Sequence, residues 1–216
     1  TAPSARLLAG SFSAGAVPVL VLWGRTGDAT TFSRFQVQRS VDGGSWADVA
    51  LASAGATKAT LETTPGHTYR FRARAFDKAN RASAWATGAK ITTSVAQETA
   101  KAAVYTGTWV SAAHAGYLGG TANASKVAGS VVTFTFTGPS VAWVGPTGPT
   151  RGKAYVYLDG SLLTTVDTYS SSFVARRVLQ TIYTSNATHR VAIRVLGTSG
   201  RPWIAADAFF VMQQSQ

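Results

Sequence analysis

Apolar residues recur at every second position along most of this chain, as in Val19-Leu20-Val21-Leu22-Trp23, Phe35-Gln36-Val37-Gln38, Val132-Thr133-Phe134-Thr135-Phe136 and Val191-Ala192-Ile193-Arg194-Val195. Period two sends successive side chains to opposite faces of an extended backbone, so these runs predict half-buried β-strands. No stretch keeps helical periodicity for three turns. Gly, Pro, Asn and Asp interrupt the β-branched runs at intervals of roughly 8 to 12 residues, the spacing expected of antiparallel sandwiches. Both halves therefore read as all-β.

The stretch 94–103 lacks alternation and is small or polar, which predicts a short linker near Gln97 and two domains, 1–96 and 97–216. In the first, Asp42-Gly43-Gly44 supplies the positive-φ turn of a hairpin. In Arg70-Phe71-Arg72-Ala73-Arg74 the apolar residues point inward with Tyr69, so the arginines are expected to face water beside Arg34, Gln36 and Gln38. No aromatic residue is interleaved with them on that face. In the second domain, strands are predicted near 105–109, 130–136, 140–144, 153–158, 161–167, 173–183, 188–196 and 203–212. An irregular glycine-rich segment is expected over 112–129.

Some family resemblances rest on particular residues. Trp23 ending a strand, the Leu61/Tyr69 pair that looks like a tyrosine corner, and Asn80…Ser83-Ala84-Trp85 before a last strand resemble a fibronectin type III domain. The run Trp143-Val144-Gly145-Pro146, the hairpin Tyr157-Leu158-Asp159-Gly160-Ser161 and a last strand carrying Ala206-Asp207-Ala208-Phe209 resemble the galactose-binding-like jelly rolls of bacterial extracellular proteins. The resemblance implies an immunoglobulin-like sandwich followed by a jelly-roll β-sandwich, and a lectin-like, carbohydrate-binding role in a secreted or cell-surface protein. It also implies a structural calcium held by a last-strand carboxylate, for which Asp207 is the candidate, although the first strand, 105–110, carries no acid.

Composition narrows the chemistry. The chain has 216 residues and no cysteine, which removes disulfide frameworks and thiolate chemistry. Its longest apolar runs are far below the ~20 residues of a spanning helix. It opens on Thr1-Ala2-Pro3-Ser4 with no initiator Met or signal core, and so reads as a mature or excised fragment. Twenty Lys and Arg against nine Asp and Glu give a net charge of +11, which favours anionic polymers. The charge is even: eleven basic and five acidic residues in 1–96, nine and four in 97–216.

Catalysis finds little support in these residues. Glycoside hydrolysis needs two carboxylates about 5 to 10 Å apart, and acids are few. No Gly-x-Ser-x-Gly elbow occurs, and His67, His114 and His189 are far apart in sequence. The chain is therefore read as non-catalytic.

Sugar binding needs flat aromatic faces and a few fixed hydrogen-bonding groups. If successive strands run antiparallel, the loops 145–152, 168–172 and 197–202 share one end of the second sandwich. That end gathers Trp143, Arg151, Tyr169, Arg201 and Trp203, and the segment bearing His114 and Tyr117 could fold over it or over the strand face of 153–158. These are the candidate ligand-binding residues, with Trp203 and Tyr169 stacking and Arg151 or Arg201 donating; for Trp143, core packing competes. An alternative platform is Tyr155 and Tyr157 beside Lys153 on one strand face. The expected partner is a polysaccharide or cell-surface glycan, including an anionic one. A protein partner in a larger surface or toxin assembly stands as the alternative, and nucleic acid is not expected.

Overall fold

A computed structural model describes residues 1–27 and 30–215. The first part contains β1 (Ser4–Leu7), β2 (Gly10–Ser11), β3 (Val17–Leu22), β4 (Phe32–Val41), β5 (Ala47–Asp48), β6 (Lys58–Thr63), β7 (Thr68–Asp77), β8 (Ala86–Thr87) and β9 (Lys90–Gln97). The second contains β10 (Ala103–Thr106), β11 (Val110–Ala113), a 3-10 turn at Leu118–Gly120, β12 (Thr121–Ser125), β13 (Val131–Thr147), β14 (Lys153–Leu158), β15 (Ser161–Asp167), β16 (Val174–Val195), β17 (Ile204–Ala206) and β18 (Ala208–Ser215). The all-β reading holds throughout, in stacked sheets.

β1, β3 and β6 form one small sheet, and β11, β12 and β17 another. The large sheet runs β15-β14-β16-β13-β18-β9-β7-β4-β5 and thus crosses from one part of the chain to the other. The crossing is an eight-residue antiparallel ladder from Ala208↔Gln97 to Ser215↔Lys90. The first part of the linker stretch expected near Gln97 is therefore strand, and only 98–102 form a turn: small or flat residues such as Ser94 and Ala96 lack alternation because they lie against β18, not because they are loose. Part of the segment expected to be irregular over 112–129 is strand as well: 112–113 belong to β11 and 121–125 to β12, whose small side chains let two short strands pair tightly.

Both faces of this crossing sheet are buried. Ala142, Val144, Ala208, Phe210 and Met212 belong to the core shared with Leu7, Val19, Trp23, Val37 and Phe71, whereas Val141, Trp143, Phe209 and Val211 belong to the core with Phe134, Val156 and Ile193. Alternate side chains of the same two strands serve different cores. Phe12 meets Phe210 edge-on at 4.9 Å on one side, and Phe134 stacks on Phe209 at 4.3 Å on the other. A strand buried on both faces must be apolar at every position, and 208–212 is.

The second core closes because β13 bends. Its register with β16 shifts between Gly138 and Ser140, so 131–137 can fold over the layer carrying Phe209. Gly138 has φ +144°, and a Cβ there would lie 2.3 Å from the Met212 carbonyl oxygen, so only glycine turns this corner. In the first part, the Tyr69 hydroxyl accepts the Thr64 N–H at 2.8 Å and pins the turn before β7.

The arginine-bearing face of β4 and β7 differs from expectation. Arg72 lies between the rings of Trp46 and Trp85 at 4.3 and 4.2 Å, and Arg74 between Trp85 and Phe76 at 4.4 and 4.9 Å. Arg34 covers Phe76 at 3.8 Å. Aromatic residues from flanking segments fold over the stripe, burying stems that alternation alone left in water.

The shared layer should make the two parts unfold together. Calorimetry is expected to show one transition, and Phe210→Ala, which empties a site fully buried between the parts, should cost about 3–5 kcal/mol without splitting it. Two separated transitions would show independent units.

Candidate functional site

The three loops predicted to share an end do meet. Gly148 bridges Tyr169 and Arg151 bridges Trp203, both in parallel sense. Gly152 makes the approach tight: its N–H donates to the Trp203 carbonyl at 2.9 Å, and a Cβ would lie 2.4 Å from the Arg201 carbonyl oxygen.

Asp167, at the end of β15, organises the exposed part. It accepts Arg201 Nη1 and Nη2 at 2.5 and 2.8 Å, and its Oδ1 also accepts the Tyr169 N–H at 3.0 Å. Arg201 Nη1 additionally donates to the Arg151 carbonyl. This bidentate contact fixes the guanidinium plane, which sits 5.2 Å from the Tyr169 ring centroid. The Arg201 hydrogen bond is the main reason that the Asp167 carboxyl is held below the usual carboxylate range. Tyr169 remains 54% exposed. Trp203 is half-buried, with the Lys126 ammonium 5.6 Å from its ring.

A second group adjoins it. Arg151 donates to the Tyr117 hydroxyl at 3.2 Å and lies 5.7 Å from the exposed Phe173 ring, while its Nε is buried with no partner. His114 packs on Phe173 and Tyr117 at 4.8 and 5.3 Å, and its Nδ1 accepts the Gly116 N–H. The cluster thus presents aromatic faces and cations of which Asp167 offsets one. Phe173, His114, Lys126 and Asp167 complete it. A lone aromatic after Ser170-Ser171-Ser172 was the available signal for Phe173; nothing local marked Lys126.

Two candidates belong to the interior. Trp143 is 1% exposed and its indole N–H donates to the Ala205 carbonyl at 3.0 Å, because β13 turns that face into the second core. It cannot stack on a ligand. Tyr117 is also buried, and its hydroxyl orients Arg151 instead of facing outward. Tyr155 and Tyr157 do share the outer face of β14, half-buried and edge-to-face at 6.3 Å.

Asp207 is fully buried between β17 and β18 and both its oxygens accept the Leu118 N–H, at 3.0 and 3.1 Å. Glu98 is buried nearby and accepts the Thr121 hydroxyl. Among the described residues no three acidic, His or Cys side chains gather to hold a metal. Calcium takes 6–8 oxygen ligands; Asp207 and Glu98 bring two carboxylates near one another, one accepting the Leu118 N–H and the other the Thr121 hydroxyl. Burial, reinforced by Glu98 and opposed by the Leu118 N–H and Arg176, pushes the Asp207 pKa up to about 7.

At the opposite end, His189 Nδ1 meets Asp159 at 2.8 Å and its Nε2 meets the Ser185 hydroxyl at 3.1 Å. The other Asp159 oxygen accepts the Arg190 N–H at 2.8 Å. Sequence distance concealed this Ser–His–Asp series, which forms where the Asp159-Gly160 turn folds onto β16.

No family model matches the chain. It is 34% identical over 93 residues to the A type blood alpha-D-galactosamine galactosaminidase of Flavonifractor plautii, covering 43% of this chain and 9% of that protein. It is 38% identical over 66 residues to the A type blood N-acetyl-alpha-D-galactosamine deacetylase of the same organism, covering 31% and 8%. The chain thus spans less than a tenth of either relative's length. Among solved structures, a family 35 carbohydrate binding module from an environmental isolate is similar with a TM-score of 0.43 and 14% identity, over 56% of this chain and 96% of the other. A family 35 module from Clostridium thermocellum gives 0.42 and 11%, over 55% and 97%.

The Asp207 environment sets a pH dependence. A carboxyl whose pKa is raised from 3.8 to about 7 on folding contributes stability that is complete below about pH 4 and lost as pH rises through about 7. Asp207→Asn should remove this term, so its melting temperature relative to wild type should rise from pH 4 to pH 8. An unchanging difference would mean Asp207 does not titrate in that window.

Proposed function

We propose that the chain is a non-catalytic glycan-binding module whose site is the loop end carrying Tyr169, Arg201 and Trp203. The observation that carries this reading is the fixed Asp167–Arg201–Tyr169 unit: a carboxylate locks a guanidinium beside a ring that stays more than half exposed. Such a unit offers an apolar face to sugar C–H groups and oriented donors to hydroxyls without reorganisation on binding. Sequence similarity to short parts of two proteins named for acting on blood-group-A amino sugars supports a glycan-directed role. We further infer a fibronectin type III-like spacer for 1–96, supported by the Tyr69 corner, and a secreted or surface setting.

The Ser185–His189–Asp159 series is read as structural. Ser185 is exposed and the Asp159 side chain is 50% exposed, whereas catalytic electrostatics work through a water-excluded, preorganised site. Its evident work is local: Asp159 clamps His189 and the Arg190 N–H, and the His189 hydrogen bond is the main reason its carboxyl pKa is lowered.

On a glycan array, Tyr169→Ala and Trp203→Ala are each expected to weaken the strongest binder by about tenfold, in keeping with loss of an interface anchor, while melting as wild type does. Loss confined to Tyr155→Ala/Tyr157→Ala would move the site to the β14 face. Failure of wild type to bind any glycan would favour the protein-adaptor reading. Chromogenic esters should turn over no faster with wild type than with Ser185→Ala; Ser185-dependent turnover would overturn the non-catalytic assignment.

A further inference from the structure

The arginine face of β4 and β7 contains one member that the aromatic stack does not use. Arg72 and Arg74 are sandwiched by rings and donate to Gln38 and Gln36, whose amides are in turn held by Asp48. Their guanidinium faces and part of their donor capacity are consumed internally. Arg70 is different. Its Nε donates to the Gly88 carbonyl at 3.1 Å, which aims the side chain, and among the described residues no ring covers it.

Arg70 lines a cavity of about 240 Å³ together with Lys90, Trp46, Thr68, Ser40, Gly43 and Gly44. The cavity lies where the stack ends, since Trp46 carries Arg72 on its ring and also lines this space. Among the described residues, neither the terminal Arg70 nitrogens nor the Lys90 ammonium has a protein acceptor. No carboxylate lines the cavity; nearby Asp42 is occupied by His67 and the Thr68 N–H. Two uncompensated cations therefore converge beside an indole, in a space on the scale of one sugar unit.

We propose that this cavity binds an anionic sugar unit of an acidic polysaccharide, with Arg70 and Lys90 taking its charged substituent and Trp46 bordering the ring. A carboxylate and a sulfate would both satisfy the pair, because each presents several acceptor oxygens to a guanidinium fork and an ammonium. Stacked nucleic-acid bases fit less well: the Trp46 and Trp85 rings are already covered by Arg72. The site is separate from the loop end of the second sandwich and does not rest on its assignment.

The test is calorimetric titration of the full chain with oligogalacturonate, a sulfated heparin-derived oligosaccharide and neutral cello-oligosaccharide. At least one anionic probe should bind, weakening as salt rises, and the neutral probe should not compete. Whichever anionic probe binds identifies the substituent. Arg70→Gln and Lys90→Gln should each lower its affinity by about tenfold or more, as expected for loss of a hydrogen bond to a charged group, with Lys58→Gln, at an exposed lysine of β6, unchanged. Because Arg70→Gln also removes the contact to Gly88, Lys90→Gln serves as the variant without a structural partner. Absence of binding by both anionic probes, affinity indifferent to Lys90, or an equal loss in Lys58→Gln would overturn the proposal. Displacement of the probe by a single-stranded oligonucleotide, in an Arg70-dependent way, would overturn the sugar assignment.

Discussion

Burial of β13 and β18 on both faces constrains everything else in this molecule. Residues 141–144 and 208–212 form a layer with a core above and a core below. Such a layer tolerates no polar face, and its unpaired edge would be costly. Pairing β18 with β9 over eight residues removes that edge, because every backbone group of an internal strand finds a ladder partner. The first sandwich is thereby placed against the second by hydrogen bonds and packing rather than tethered to it. Contacts far from the ladder agree: β2 pairs with β16 at Arg177↔Ser11, and the Tyr183 hydroxyl donates to the Leu7 carbonyl at 2.9 Å.

This layer also positions the loop end. Trp143 is spent on the interior of the second core, where its N–H binds the Ala205 carbonyl. That bond and the pairing of β17 with β12 hold the segment leading back to Trp203. Trp203 and Arg201 then emerge beside β14 and the turn after β15, where Asp167 captures Arg201. A core tryptophan thus works at one remove from the exposed cluster.

Much of this was legible in the sequence, for reasons that particular residues make plain. Strict alternation in 70–74 and 132–136 located half-buried strands correctly, and counting connections brought together loops separated by more than fifty positions. Where alternation stopped, legibility stopped too. The unbroken apolar run 208–212 carried the information that both faces are buried, yet such a run does not say what covers the second face. Likewise 94–97 reads as a linker because Ser and Ala suit either a loop or a tightly packed strand. The aromatic cover on Arg72 and Arg74 comes from Trp46 and Trp85, which lie in neighbouring segments and not in the stripe, so no periodicity within it could reveal them. Asp207 reads from sequence either as a metal ligand or as a carboxyl hydrogen-bonded to backbone, and in three dimensions it accepts the Leu118 N–H, a partner eighty-nine positions away that no local pattern marks.

Net charge by itself says little about where an anion would bind, because the basic residues are in different states. Arg201 and Arg81 are neutralised by Asp167 and Asp77. Arg34, Arg72 and Arg74 lie on rings. These contacts stabilise the charged side chains where they are and fix their direction, which suits them to shaping a surface. Affinity for an anion requires the reverse: cations held in place by something other than an acid, so that their charge is not already offset. Arg70, oriented by a carbonyl, and Arg151, oriented by a tyrosine hydroxyl, meet that requirement. They lie in different sandwiches, and the shared β9–β18 ladder holds those sandwiches in register.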